Sequence, residues 1–556
     1  MAVIGLAAIM LIVNAVWIWV NRHGGGVTID EAGYLSYSFA DYHAWQAGGL
    51  TDVIGTAIHE QVQPPLVPLL TAAVYAVIGR ASVMAAFGVE LLAYGSILLV
   101  TYSIAKGLAG KAAGLVAAIA IASAPIMLDY SHLYMYAVPA AAFASLTVWA
   151  ALRSQQMTRL GWSVVWGIAL GAMLVSRTVT IAFAPAFVLL ALLEVAVSTE
   201  RLRSAIGLAC GTVAAAIVAG PWWIVSGSGA WAYLTSFGYG AQSAGYGPSR
   251  TLFSWSSWVS FLQQNVDLYI WIPLGAILVL GAAALAVKLL LALGRERAHL
   301  FVRVVRSPWF FLTFVVVEGV VALESSRNLG TGFLAPLVPA MVALGVGALV
   351  SVVARRKGAV IAVAVLVIAA SVPSYLAKMA LNGPTHQPVV VGVPVLGPVT
   401  ALDGRSYFDL YVLAGGVADA RDPSESAWRI VNAVLVRDVD RFISGTPGPV
   451  GVVFAFDEYL VNPNTFTLRE LQVEDAVPGV DLLSPSAGQS PADYSAEITR
   501  ALGSEHAVLL LCTDPAGVIP PQLEQGSVEK AAQGLGFAPY ASITLPQHGF
   551  LQVWTR

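Results

Sequence analysis

The sequence predicts a mainly α, polytopic membrane protein of about eleven transmembrane helices plus juxtamembrane helices, followed by an α/β extracytoplasmic domain. Three observations carry this. Of 556 residues, 57% are hydrophobic and 11% charged, with a mean hydropathy of +0.75. A soluble domain carries about 25% charged residues, so this chain cannot cover a water-facing surface with polar groups. Long apolar runs recur as far as residue 377 and then stop. Charge reverses at the same place: residues 1–384 hold 20 Lys+Arg against 13 Asp+Glu, and residues 385–556 hold 9 against 19. We therefore divide the chain into a membrane domain, 1–380, with a loop at 21–81 suited to catalysis, and a soluble domain, 385–556. The acidic balance argues against nucleic acid as a partner.

A helical span needs roughly 20 apolar residues. Runs of that kind lie at 2–20, 82–105, 111–128, 134–152, 160–176, 178–197, 203–225, 268–292, 308–323, 331–353 and 358–377. A further stretch, 64–79, is short and opens on Pro64-Pro65, which suits an interfacial helix. The first run lacks a basic flank and a small-residue cleavage site, so it reads as a retained span rather than a signal peptide. The excess of Lys and Arg on cytoplasmic loops orients the rest. With the N-terminus inside and 64–79 interfacial, the inner loops hold 13 basic residues, including Lys106, Arg153, Arg203, Arg306 and Arg356. The outer segments before the tail hold six: Arg22, Arg80, Arg177, Arg250, Arg327 and Lys378. This places the N-terminus in the cytoplasm of a cell-membrane protein. Loop 21–81, loop 226–267 and the acidic tail then lie outside. Cys210 and Cys512 fall in different compartments, which disfavours a bond between them.

In the tail, Val450–Phe456, Ala507–Cys512 and Phe550–Trp554 read as strands. Ser424–Ser444 and Gln522–Leu535 carry helical periodicity.

The outer segments concentrate the chemistry-bearing residues. Asp30-Glu31 stand about ten residues after the first span, with Tyr34 following. Such a carboxylate suits a general base or a metal ligand; it equally suits a helix N-cap at Asp30. His59, Glu60 and Gln63 precede Pro64-Pro65-Leu66, which fixes a helix start and could aim those polar groups into a cavity. Asp41, His43, His59 and Glu60 give the same loop enough donors for a divalent cation, Mg or Mn, at a spacing of no recognised site. The second outer loop offers Asp129 and His132 amid Tyr130, Tyr134 and Tyr136. Arg177, at an outer turn, suits a phosphate or a membrane anchor. Glu318 lies inside an apolar run, where an ionisable residue is costly and so a functional candidate. Glu324 and Arg327 follow, and Arg327 could pair with either glutamate. Loop 226–267 is rich in aromatic residues that suit sugar faces or headgroups.

The order of these pieces resembles the membrane-embedded glycosyltransferases of the GT-C superfamily. The nearest branch is that of the protein O-mannosyltransferases and the aminoarabinose transferases that modify lipid A. The resemblance covers 1–377 and rests on Asp30-Glu31, Pro64-Pro65-Leu66, Ser176-Arg177-Thr178, Pro221-Trp222-Trp223, and Arg327 followed by Leu334-Ala335-Pro336-Leu337-Val338-Pro339. It implies transfer of a sugar from a polyprenyl-phosphate carrier to an outer-face glycan, lipid or protein, with inversion. Asp30 is then the base, with Glu31 beside it as a catalytic candidate. Tyr34, His59, Glu60, Gln63, Asp129, His132, Arg177, Glu318 and Arg327 are candidates for substrate binding. Two positions depart from the pattern. Gln63 stands where the aminoarabinose branch has a basic residue, and Ala137, before Val138-Pro139, where an acid is common. Asp129 or His132 are the nearest substitutes. The competing readings are a flippase of lipid-linked sugars and a non-catalytic scaffold. The absence of an internal repeat weighs against the first.

Overall fold

The computed structural model describes residues 2–556, except 24–26, 60–62, 241–242, 244–250, 294–299, 329, 331, 381–387, 406–422, 448–449, 457–459, 474–478, 484–489, 503–505, 513–522 and 546–548. All eleven predicted apolar runs fall on helix, and the protein is an integral multi-pass membrane protein of mainly α structure. Among the described residues, eight helices are long and apolar enough to cross a bilayer.

The helices are α1 (Ala2–Arg22), α2 (Ile29–Gly48), α3 (Leu50–His59), α4 (Leu66–Ile78), α5 (Val83–Ala122), α6 (Pro125–Ser131), α7 (Ala137–Ser154), α8 (Leu160–Leu174), α9 (Ala184–Val197) and α10 (Arg201–Gly238). Then come α11 (Trp255–Asn265), α12 (Trp271–Leu293), α13 (Leu300–Val305), α14 (Pro308–Glu324), α15 (Val338–Val353) and α16 (Lys357–Lys378).

Several helix boundaries depart from the apolar runs, each for a local reason. α5 contains two helices joined across a kink at Ala109-Gly110, where Gly110 takes φ +89°. The run expected over 111–128 stops at Ala122, because Pro125 cannot continue a helix and instead opens α6 at its N-terminal turn. The run at 178–197 starts as a six-residue 3₁₀ turn, Thr178–Phe183, before α9. The loop expected over 226–267 is largely helical: α10 runs on to Gly238 and α11 covers Trp255–Asn265. Leaving the apolar run does not end a helix. Neither Pro221 nor the Ser226-Gly227-Ser228-Gly229 stretch breaks α10; both are absorbed within it.

The chain forms two compact units. The first comprises 1–17, 50–74 and 85–404; the second comprises 18–49, 75–84 and 405–556. In the first, α8 and α10 approach so closely that a Cβ on Gly171 would lie 2.8 Å from the Ala215 carbonyl oxygen. Small residues give this contact in bilayers, where apolar burial alone does not drive association. The same unit includes an antiparallel hairpin, β1 (Val389–Val393) and β2 (Gly397–Leu402). Asp267, in the π-turn before α12, anchors it by accepting from the Thr400 backbone N–H at 2.8 Å and hydroxyl at 2.6 Å.

The second unit has a five-stranded sheet in the order β4-β3-β5-β7-β6. β3 (Val450–Phe454) lies parallel to β4 (Gly479–Leu482) and β5 (His506–Cys512). β7 (Phe550–Thr555) runs antiparallel to β5 and to β6 (Ala538–Thr544). Four helices accompany the sheet: α17 (Pro423–Ser444), α18 (Pro463–Val473), α19 (Pro491–Leu502) and α20 (Gln525–Gly534). Leu509, Leu511, Tyr494, Ile498, Val528 and Trp554 form its core. The three predicted strands and two predicted helices are present; Gln522 lies outside the described residues. α2 belongs to this unit and packs along α18. Its buried residues Glu31, Leu35, Ser38, Phe39 and Tyr42 recur at helical spacing, and Phe39 and Tyr42 meet Tyr75 edge-on at 5.4 and 5.8 Å.

Candidate active site

In the second unit, Asp30-Glu31 lie in the first turn of α2. The N-cap is Thr28, not Asp30. The segment Thr28-Ile29-Asp30-Glu31 spells a capping box, and both of its bonds form. The Glu31 backbone N–H donates to Thr28 Oγ1 at 3.4 Å, and the Thr28 N–H donates to Glu31 Oε2 at 3.0 Å. Arg22, at the end of α1, holds the same carboxylate with two bonds from Nη2, at 3.0 and 2.9 Å. The Arg22 and Glu31 side chains are 2% and 0% exposed. Glu31 is thus committed to a buried ion pair and a cap. Asp30, half-buried at the second helical position, stands where the macrodipole favours an anion. Tyr34 follows one turn later, also half-buried.

The first unit gathers the remaining motifs around one turn. The backbone N–H of Leu66, ending the Pro-Pro-Leu stretch, donates to the Val175 carbonyl at 3.0 Å. Trp223 Nε1 donates to the Leu174 carbonyl at 3.3 Å, and the Ser226 hydroxyl to the Ile58 carbonyl at 2.6 Å. Val175, Ala219, Trp222 and Ala230 are buried together, with Leu66 and Trp223 against them. Two residues beyond Val175 comes Arg177, 6% exposed. Its Nη1 donates to the Gly332 carbonyl at 3.1 Å, and its guanidinium lies 5.0 Å from the Phe333 ring centre. Gly332 and Phe333 lead directly into Leu334-Ala335-Pro336. Four stretches far apart in sequence therefore meet along the segment Leu174–Arg177.

Gly332 explains the departure at Ala137. It takes φ +70°, and a Cβ there would lie 2.8 Å from the Tyr130 ring and 3.1 Å from the Ala137 Cβ. Its N–H donates to the Tyr269 hydroxyl at 3.3 Å. Ala137 is 1% exposed against this backbone, which leaves no volume for an acid side chain. Ahead of it, Tyr136 caps α7 in the left-handed region, φ 56°.

The two proposed substitutes are held by structural partners. Asp129 Oδ2 pairs with Lys378 Nζ at 2.9 Å, both side chains 4% exposed, and the ammonium sits 4.9 Å from the Trp271 ring centre. His132 stacks on Trp17 at 3.9 Å, with 9° between the rings, and its Nε2 bonds Asn14 Oδ1 at 2.8 Å.

The other candidates do not converge on Arg177 by any described contact. His59 is exposed at the end of α3, its Nδ1 2.7 Å from the Gly55 carbonyl oxygen. Gln63 is half-buried in the turn before the buried prolines 64 and 65. Glu60 lies outside the described residues. Glu318 is half-buried within α14. The expected pairing of Arg327 with a glutamate is not made. Arg327 is exposed, its backbone N–H donates to the Gly238 carbonyl at 2.8 Å, and Glu324 accepts instead from the Ser257 hydroxyl. Among the described residues no three His, Cys, Asp or Glu side chains are grouped to hold a metal ion. Commitment of Glu31 to Arg22 removes one of the two carboxylates that suggested one.

Sequence reasoning missed Arg22, Thr28, Asn14 and Lys378. Only the first two carried a local signal: a Thr-x-x-Glu box, and an arginine just upstream of it.

This combination of a helical membrane unit, a mixed-sheet unit and clustered turn motifs is the fold of the GT-C membrane glycosyltransferases. ArnT from Cupriavidus metallidurans in the apo state superposes with a TM-score of 0.57 at 15% identity, over 100% of this chain and 98% of that one. The same protein bound to undecaprenyl phosphate gives 0.55 at 16% identity, over 99% and 98%. The arabinofuranosyltransferase AftD from Mycobacteria gives 0.54 at 13% identity, over 99% of this chain and 39% of that one. At the sequence level, the family described as dolichyl-phosphate-mannose-protein mannosyltransferase matches residues 62–224. No curated protein matches in sequence. The chain thus resembles the GT-C superfamily near its protein O-mannosyltransferase and ArnT branch.

Proposed function

We propose that this protein is an inverting membrane glycosyltransferase that moves a sugar from a polyprenyl-phosphate carrier to an acceptor hydroxyl on a glycan, lipid or protein. The observation that supports this most is the meeting of Pro64-Pro65-Leu66, Pro221-Trp222-Trp223 and Gly332–Pro336 along the segment Leu174–Arg177, which ends on a buried arginine. A single buried guanidinium presented by a turn suits a phosphate oxyanion. That one of the matched folds was solved with undecaprenyl phosphate is consistent with such a donor.

In this reading Asp30 takes the proton of the acceptor hydroxyl. The acceptor oxygen bonds to the anomeric carbon from the face opposite the phosphate. The bond from that carbon to the phosphate oxygen breaks, and the electron pair leaves with the carrier. Arg177 offsets the charge on the departing phosphate, and Glu31 acts only through the helix start. One displacement inverts the centre. The N-terminus lies inside and the tail outside, so the acceptor is met on the outer face; a reporter fused at residue 556 should register there.

The test compares Asp30→Asn and Arg177→Ala in membranes supplied with polyprenyl-phosphate mannose, alongside glycan analysis of cells lacking the chain. Asp30→Asn should cut kcat by about 10²–10⁴-fold. Arg177→Ala should raise the donor KM and lower kcat. Near-normal turnover by Asp30→Asn would remove the base.

A further inference from the structure

Asp30 has a neighbour on each side that is fixed by something other than its own helix. On one side Glu31 is held by Arg22 and Thr28. On the other, the carbonyl of Ile29 accepts a hydrogen bond from Asn464 Nδ2 at 2.9 Å. Asn464 belongs to α18, in the soluble part of the sequence, 435 residues away. A carbonyl oxygen has a second lone pair beyond the helical bond, so the amide adds to the first turn without breaking it.

The sequence makes room for this contact. A Cβ on Gly33 would lie 3.0 Å from Asn464 Nδ2 and 3.4 Å from its Cγ. Glycine inside a helix costs about 1 kcal/mol relative to alanine, so its presence one turn into α2 needs a reason. A methyl there would crowd the Asn464 amide by a few tenths of an ångström. Asn464 is in turn held firmly. Asn462 and Thr465 cap α18 reciprocally: the Thr465 N–H donates to Asn462 Oδ1 and the Asn462 N–H to Thr465 Oγ1, each at 3.0 Å. Both capping residues are buried, at 0% and 3% exposure.

We propose that Asn464 is a positioning residue for Asp30, so that the soluble tail fixes the place of the reacting carboxylate. This rests on the reading of Asp30 as the base. Displacement of a reacting group by an ångström is enough to cost turnover heavily. A hydrogen bond to the residue beside the base therefore acts on kcat, not on binding of the donor.

The test uses the full chain in nanodiscs, with Asn464→Ala, Gly33→Ala and the double variant. Two readouts are taken: amide hydrogen exchange over residues 30–34, and kcat and KM with polyprenyl-phosphate mannose as probe. Asn464→Ala should speed exchange in the first turn of α2 and lower kcat about fivefold, the usual worth of one hydrogen bond, with KM unchanged. Gly33→Ala should act in the same direction alone, because its methyl pushes the amide back and lengthens the bond to Ile29. In the Asn464→Ala background it should add nothing. Equal losses from Gly33→Ala in both backgrounds would overturn the proposal, as would unchanged exchange in Asn464→Ala. The exchange arm needs no substrate, so it decides the clamp even where Asp30→Asn turnover removes the base.

Discussion

Glu31→Gln isolates a single charge. Glutamine keeps the capping-box geometry, since Thr-x-x-Gln serves as well as Thr-x-x-Glu. What is lost is the anion opposite Arg22, whose side chain is 2% exposed and holds Glu31 with two bonds of about 3 Å. Removing one partner of a buried pair leaves the other charge without compensation, at a cost of about 3–5 kcal/mol. Glu31→Ala should cost about 1 kcal/mol more, since the cap goes too. Replacing both members, Arg22→Met with Glu31→Met, should recover most of the loss, because no charge remains buried. The assay is thermal unfolding of the purified full chain, followed by tryptophan fluorescence, beside turnover. Asp30→Asn provides the contrast, with lost turnover and a near-unchanged midpoint. If Glu31→Gln kept the wild-type midpoint while turnover collapsed, Glu31 would belong to the chemistry and the structural assignment would fall.

Three further outcomes follow from the same geometry. Gly332→Ala forces a side chain into φ +70° against Tyr130, and should lower stability by about 1–3 kcal/mol with loss of the Arg177 contact, read as a raised donor KM. Lys378→Met takes the ammonium from the buried Asp129 carboxylate and should destabilise by about 3–5 kcal/mol; adding Asp129→Leu should restore most of it in the same unfolding assay. In the tail, the Ser490 backbone N–H and hydroxyl hold the Asp493 carboxyl below its ordinary range. A depressed carboxylate contributes stability above its unfolded pKa of about 3.9 and loses it as pH falls through the lower folded value. Ser490→Ala should therefore leave exchange in the first turn of α19 less sensitive to pH over that acid range.

Periodicity made the membrane helices legible, because a bilayer demands long apolar runs whatever the tertiary contacts. It also found β3, β5 and β7, whose buried positions are rich in Val, Leu and Trp. It missed β4 and β6, which close the sheet at its two sides and carry no clean alternation: Ala538–Thr544 is mostly exposed. The hairpin Val389–Leu402 was missed because Val389–Val391 are exposed and only the neighbours Val399 and Thr400 are buried, so no alternating inward stripe marks it. At the candidate site, the ordered motifs singled out Arg177 and Asp30 for the proposal. The pairings were not legible. Nothing local links Asp129 to Lys378, or Asn464 to Ile29, since each bond is settled by packing across hundreds of residues. Thr28 was legible and was passed over, because the two adjacent carboxylates drew the cap to Asp30.

The unit that includes α2 is drawn from both ends of the chain, with 75–84 between them. Its assembly is therefore ordered in time. A ribosome adding about 5–20 residues per second reaches α18 roughly 20–90 s after it finishes α2. Throughout that interval the helix bearing Asp30 has Tyr75 to meet Phe39 and Tyr42, but the face that packs along α18 stays uncovered. The membrane surface is the nearest apolar shelter for such a face. Activity should thus arrive late in synthesis, after the last helices of the membrane unit are in place, and a nascent chain halted before residue 463 should hold the motifs around Arg177 with the first turn of α2 still exchanging freely.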